Sequence, residues 1–432
     1  MVDWKNYDPA TGIGDPSTPL DAEILTAAFV DERASERAYQ SSTYALTSQQ
    51  RPGGRTVFLG DSITLASDTE AGFGGAVNTV TADSFVGYGC GLTSQRLTRI
   101  ANLGIAGNKS ADMLARFDTD VTPFTPQTVF VAAGANDIAT AVTLATFQTN
   151  IKAIVAKCRT IGAVPIIASI FPNNNTDGVS VASKHATIIK WNVWLRRYCS
   201  IHGIIYIDFY SQSVDPATGN YLAAYGTGDG THPGVAGQLL YGQYLAAQLG
   251  PLLPLGGPAL TADDGDLSNL LAGGCFLGAP GAGGNLGIPA GWVTYSGLIS
   301  GGVYSTVTDS AVKGLLSRYT ATATAGAAIV YQSIAAAGKF SVGDRLMVGG
   351  ILTTNGGVTG QVSLNFIGGT PGSHTPQRIG LLAVTRQQLH LELTVPAGTT
   401  SIDFLLTAGA GTGVVDFGQM TLYNLTTMSA LI

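Results

Sequence analysis

TVFLGDSIT, residues 56–64, decides the fold. An unbroken apolar run leads into Gly60, and the small polar pair Asp61-Ser62 follows at once. Consecutive apolar residues without alternation suit a strand buried on both faces, as in a parallel sheet covered by helices. Similar runs recur downstream as RIANLG (99–104), TVFVAAG (128–134), VPIIASI (164–170) and IIYIDF (204–209). Between them lie helical patterns, notably LATFQTNIKAIVAKCRTIG (144–162) and VASKHATIIKWNVWLRRYCSIHG (181–203). This strand–helix–strand repetition predicts an α/β three-layer (α/β/α) unit, in which functional residues collect in loops at the carboxyl ends of the strands.

Outward from that unit the texture changes twice. With 432 residues the chain exceeds one ordinary core, so several domains are expected. Residues 1–50 open irregularly and then show helix-start chemistry at Thr18-Pro19, with Asp21 and Glu23 in the first turn; this extension reads as an attachment or oligomerisation helix. Residues 51–250 hold the α/β pattern, and the Pro/Gly-rich stretch beginning PLLPLGGPAL makes 251–265 a linker. In 266–432 charges thin out and alternating segments appear, including DRLMVGGILTT (344–354), QVSLNFIG (361–368), LHLELTV (389–395) and SIDFLLTA (401–408). Period-two alternation with frequent turns predicts an all-β sandwich.

Bulk properties exclude some functions. A net charge of −6 without a basic stripe leaves no footprint for nucleic acid. The four cysteines have no spacing suited to zinc and read as buried free thiols, with a Cys158–Cys199 bridge as the alternative. The opening lacks a secretory pattern, and no stretch reaches the ~20 apolar residues of a spanning helix. The expectation is a soluble protein that acts outside a cell, if at all, without a leader peptide.

Four short segments carry chemistry. GDSIT (60–64) presents the Ser62 hydroxyl at a strand-to-loop turn. In NLGIAGNKS (102–110), Gly107 permits close approach and offers its N–H. GANDI (134–138) aims the Asn136 amide at the same rim. GDGTHPG (228–234) sets Asp229 three residues before His232, at the entrance of a helix starting near Pro233. Each has a plainer reading: a surface turn, a turn glycine, a turn-capping Asn or a solvated loop His. Their order, each at a strand end or loop of one sheet edge, argues for a joint site. Asp61 and Asp137 read as loop-bonding groups, Trp191 and Trp194 as core, and FPNNNTDG (171–178) as a candidate part of the rim.

In these segments the sequence resembles the SGNH/GDSL hydrolase family over about residues 55–250. The resemblance implies a flavodoxin-like, five-stranded parallel sheet and a serine hydrolase. It makes Ser62 the nucleophile, His232 its base and Asp229 the group that orients the imidazole. The N–H groups of Ser62 and Gly107 and the Asn136 side chain form the oxyanion hole, and no metal or cofactor is implied. Residues 266–428 resemble jelly-roll modules related to carbohydrate-binding domains, although Trp292, Tyr295, Tyr304, Tyr319 and Tyr331 need not form an exposed cluster. The N-terminus is similar to the openings of bacteriophage tail-associated proteins. Together these imply an esterase acting on an acylated surface glycan or glycolipid, as a homo-oligomer on a virion that works at a bacterial surface. The rival readings are a lipase or thioesterase, and a receptor-binding or structural tail protein with a vestigial site.

Overall fold

Residues 51–65, 80–81, 84–175, 181–255, 259–277, 288, 291–294, 302–321, 328–358, 360–368, 374–379, 384–409 and 411–429 are described by the computed structural model. The expected helix of 18–50 lies outside them. Five strands form a parallel sheet: β1 (Arg55–Gly60), β2 (Thr98–Gly104), β3 (Thr128–Val131), β4 (Val164–Ala168) and β5 (Ile205–Ile207). Their order is β2-β1-β3-β4-β5, all pairs parallel, which is the flavodoxin-like arrangement. The chain reverses direction of travel between β1 and β3, and ligands of doubly wound sheets bind where such a reversal opens a crevice at the strands' carboxyl ends.

The α-helices described in the α/β part are α1 (Ser62–Leu65), α2 (Phe85–Leu92), α3 (Ser110–Ala115), α4 (Phe117–Asp120), α5 (Ala135–Ala139), α6 (Leu144–Thr160), α7 (Val181–Ile201), α8 (Tyr210–Ser213) and α9 (Val235–Leu249). Strand alternation sorts β1 onto two cores. Val57 and Leu59 pack with Val129, Val131, Ile151, Ile154, Trp191 and Leu195 beneath α6 and α7. Phe58 faces the other way, joining Phe85, Phe130, Phe171, Phe209 and Tyr241. The central strands are buried on both faces, whereas β2 is half-buried, as an edge strand must be. Trp191 is buried and stacks on Phe147, with Trp194 edge-on to the same ring.

Beyond residue 259 the described chain is antiparallel β structure, closed by a short helix at Leu425–Ser429. Its strands are β6 (Val293–Thr294), β7 (Gly302–Thr308), β8 (Leu315–Ala321), β9 (Ala328–Ala335), β10 (Arg345–Gly356), β11 (Gly360–Ile367), β12 (His374–Ile379), β13 (Val384–Thr394), β14 (Ser401–Ala408) and β15 (Gly413–Asn424). One sheet runs β12-β11-β14-β9-β6 and the other β13-β10-β15-β8-β7. Alternate residues supply the shared core: Val362, Leu364 and Phe366 with Ile402, Phe404 and Leu406 from the first sheet, and Leu346, Val348 and Phe417 from the second. Buried Thr261 receives its place from Thr421 Oγ1, which accepts its N–H at 2.9 Å, so the β-rich packing begins within the stretch expected as linker.

The β-rich part is joined to the α/β part by more than its linker. Val80–Thr81 pairs in parallel with Gln377–Arg378 and extends the first sheet. Tyr88 of α2 lies in the sandwich core, with Leu92 and Leu239 packed against it. The Gln95 side chain donates to the Gln388 carbonyl at 2.5 Å. Helices α2 and α9 approach closely through glycines, since a Cβ on Gly242 would fall 2.2 Å from Tyr88 Cβ. All four cysteines are free and buried, Cys158 and Cys199 included.

Candidate active site

Ser62 stands at the first position of α1, directly beyond β1, where the opening N–H groups of a helix lack intrahelical acceptors. The turn is tight. Asp61 Oδ1 accepts the Ile63 N–H at 2.9 Å, and the Asp61 carbonyl accepts the Leu65 N–H at 2.9 Å. Across the rim, the loop before α9 brings His232 Nε2 to 2.9 Å from Ser62 Oγ. His232 Nδ1 lies 2.6 Å from Asp229 Oδ2. An ionised carboxylate only accepts, so Nδ1 carries the proton and Nε2 is left to accept from the Ser62 hydroxyl. Burial would raise the Asp229 carboxyl, but donors from the His232 N–H, the Thr227 hydroxyl, the His232 ring and the Thr231 N–H outweigh it and hold it well below the usual range. Asp229 therefore stays charged beside the imidazole.

Gly107 is exposed in the turn after β2, at φ +78°, a conformation that suits glycine. Asn136 sits in the first turn of α5, after Gly134 at φ +121°. Its Nδ2 donates to the Asn108 carbonyl at 3.1 Å, which ties the loop after β3 to the Gly107 turn. The structure thus brings the serine, histidine and aspartate into one hydrogen-bonded chain, with Gly107 and Asn136 on loops linked to each other. Such a chain moves a proton from a hydroxyl to an imidazole as the oxygen attacks an acyl carbon.

Two further acids support the site from beneath. Burial pushes Asp61 up to about 6, against the pull of the Ile63 N–H and of His232. Buried Asp137 accepts from the Ser110 N–H at 2.9 Å and the Ser110 hydroxyl at 2.5 Å, and Asn150 donates to that hydroxyl at 3.0 Å. Burial raises the Asp137 carboxyl, and the two Ser110 donors oppose the rise. Asp137 fastens α5 to α3 and so braces both loops of the rim.

Several contributors escaped the sequence reading. Asn102 clasps the turn, donating to the Thr64 carbonyl at 2.9 Å while its Oδ1 accepts the Gly104 N–H at 3.0 Å. A Cβ on Gly104 would lie 2.3 Å from Leu65 N, so only glycine admits the Ser62 turn there. Both residues stand inside NLGIAG, where an Asn and a Gly at the end of an apolar run were a usable signal of a tight strand-end turn. Asn173–Asn175 grips the histidine loop: the Asn174 N–H donates to the Gly230 carbonyl at 2.6 Å, and Asn175 Nδ2 to Thr231 Oγ1 at 3.3 Å. Residues 176–178 of that rim segment lie outside the described residues. Among the described residues no group of three His, Cys, Asp or Glu side chains is placed to hold a metal. No described helix is long and apolar enough to cross a membrane. In the sandwich, Trp292, Tyr304 and Tyr319 are buried, and Tyr295 lies outside the described residues.

Residues 58–240 match the model of the GDSL-like Lipase/Acylhydrolase family. Among solved structures, a G-D-S-L family protein of Desulfitobacterium hafniense DCB-2 is 27% identical over 46% of this chain and 100% of its own, with a TM-score of 0.37. An acetylxylan esterase from Geobacillus stearothermophilus is 21% identical over 46% of this chain and 96% of its own, with a TM-score of 0.37. The enzymatically active domain of tailspike protein 4 of bacteriophage CBA120 is 14% identical over 36% of this chain and 21% of its own, with a TM-score of 0.29. No curated protein sequence matches the chain.

Proposed function

From the premise that residues 58–240 form an SGNH serine hydrolase domain of the GDSL-like lipase/acylhydrolase family, we propose that the protein removes ester-linked acyl groups, acetyl first among them, from a surface glycan or glycolipid. The observation that carries this reading is the unbroken chain Ser62 Oγ, His232, Asp229, at 2.9 and 2.6 Å. Ser62 attacks the ester carbonyl as His232 takes its proton. The charge that develops on the carbonyl oxygen meets the N–H groups of Ser62 and Gly107 and the Asn136 amide. One such donor is commonly worth about 2.7–4 kcal/mol in the barrier. His232 then returns its proton to the leaving alcohol, and the same imidazole activates the water that clears the acyl-enzyme. Asp229 keeps the imidazole in the required tautomer throughout.

A sugar leaving group suits the rim. Asn108, Asn136, Asn174, Asn175, Thr227 and Thr231 surround the Ser62–His232 pair or hold its loops, and amides and hydroxyls can hydrogen-bond a polyol. The β-rich part would serve targeting or assembly in a homo-oligomer carried on a virion. Purified protein is expected to release p-nitrophenol from p-nitrophenyl acetate, and Ser62→Ala to lower kcat by about 10⁴–10⁶-fold. Equal rates for the two proteins would sink the esterase reading. A marked preference for long acyl chains in a p-nitrophenyl ester series would replace the glycan substrate by a lipid.

A further inference from the structure

We propose that Arg116, between α3 and α4, is the positioning residue that sets the three oxyanion donors relative to one another. The proposal rests on the serine-esterase reading above. The Arg116 side chain is only 13% exposed and spends its donors on four acceptors. Nη2 donates to the Gly60 carbonyl at 3.2 Å and the Leu103 carbonyl at 2.6 Å. Nε donates to Asn108 Oδ1 at 2.8 Å, and Nη1 to Asp120 Oδ2 at 3.0 Å.

Three of the four acceptors flank the oxyanion donors. Gly60 lies two residues before Ser62 and ends β1. Leu103 and Asn108 bracket the turn that presents Gly107. The Asn108 carbonyl in turn accepts the Asn136 amide at 3.1 Å, so the loop after β3 hangs from a residue that Arg116 holds. One guanidinium thus joins the carboxyl ends of β1 and β2, whose last paired residues are Gly60 and Gly104, and reaches the third donor through a single intermediary. The fork geometry matters. Five donors in a rigid plane can satisfy divergent carbonyls at once, whereas a lysine ammonium is a point charge that cannot. The Arg116 hydrogen bond holds the Asp120 carboxyl below its usual range, so the guanidinium has a charged partner one helical turn on and keeps its other nitrogens for the rim. Among the described residues its hydrogen bonds reach neither His232 nor Asp229, so the proton-transfer pair does not depend on it directly.

The distinguishing signature is a kcat effect without a KM effect, because donors aligned on a transition-state charge are spent on the barrier and not on ground-state binding. In the full-length chain, Arg116→Lys is expected to lower kcat for p-nitrophenyl acetate about 100-fold, the scale of a misplaced catalytic group. KM should change by less than about twofold. Arg116→Ala should recover part of its lost kcat when methylguanidinium is added, an effect a merely structural gap would not show. Asn108→Ala keeps its backbone carbonyl but loses the Nε acceptor, and should cost about tenfold, one charge-assisted hydrogen bond. Wild-type kcat in Arg116→Lys would overturn the proposal. If the Arg116 variants do not fold, wild-type kcat in Asn108→Ala overturns it instead. Ester hydrolysis by the wild type that Ser62→Ala abolishes upholds the esterase reading whatever the Arg116 variants do.

Discussion

At the carboxyl rim of the parallel sheet, polar side chains from separate loops bond one another: His232 reaches Ser62 Oγ and Asp229, Asn136 reaches the Asn108 carbonyl, and Asn175 reaches Thr231. In the sandwich, polar side chains pair off at separate places: Arg318 forks onto Asp416 at 2.7 Å across adjacent strands, Tyr423 donates to Asp266 at 2.6 Å, and Asn424 donates to Asp344 at 2.8 Å. Among the described residues of the sandwich, the rings of Trp292 and Tyr304 turn inward, each 3% exposed. The difference follows from backbone. Loops beyond strand ends leave N–H groups and side chains unpaired by any ladder, and so available for a ligand, whereas paired strands commit both backbone and alternate side chains to the fold. The first region leaves polar groups at a rim and the second commits most of its side chains to packing, yet the two share a core through α2.

That shared core gives the largest test. A chain ending at Leu255 would uncover Tyr88, Leu92 and Leu239. At about 1.5–3 kcal/mol per side chain, the loss is on the order of 5 kcal/mol, comparable to a domain's whole stability. The truncated enzyme is expected to melt at least about 10 °C lower than the full chain. A melting temperature unchanged by truncation would make the β-rich part a true appendage.

Gly104→Ala probes the rim alone. Its Cβ would meet backbone atoms of Leu65 and Asp61, which cannot swing aside. Overpacking of this kind costs about 1–3 kcal/mol, and displacement of Ser62 is expected to lower kcat about 100-fold while the sandwich stays intact. Full activity in this variant would mean that the turn tolerates movement and that Ser62 does not depend on Gly104 for its place.

The smallest effect concerns Asp61. Because burial raises its carboxyl to about 6, the folded chain keeps a proton that the unfolded chain releases near pH 4. Stability from this group therefore falls as pH rises from about 4 to 6, by at most about 1.4 kcal/mol per pH unit. Asp61→Asn retains an oxygen to accept the Ile63 N–H but has no proton to lose. Urea midpoints across that window should decline less in the variant than in the wild type; parallel curves would show that Asp61 does not titrate there.

The sequence alone determined the periods of the strands and helices, because burial on two faces, on one face or on none is written in each segment's own alternation. It also placed Ser62, Gly107, Asn136 and the Asp229/His232 pair at strand ends and helix starts, since each follows a strand or borders a helix. Only the tertiary structure decided which polar atoms meet: Arg116 with Gly60 and Leu103, Asn174 with Gly230, and the Val80–Thr81 strand with a sheet some three hundred residues away. Apolar burial is nonspecific and leaves a periodic trace along the chain. A hydrogen bond demands two particular atoms about 3 Å apart, and that distance exists only after the strand ends have been brought together.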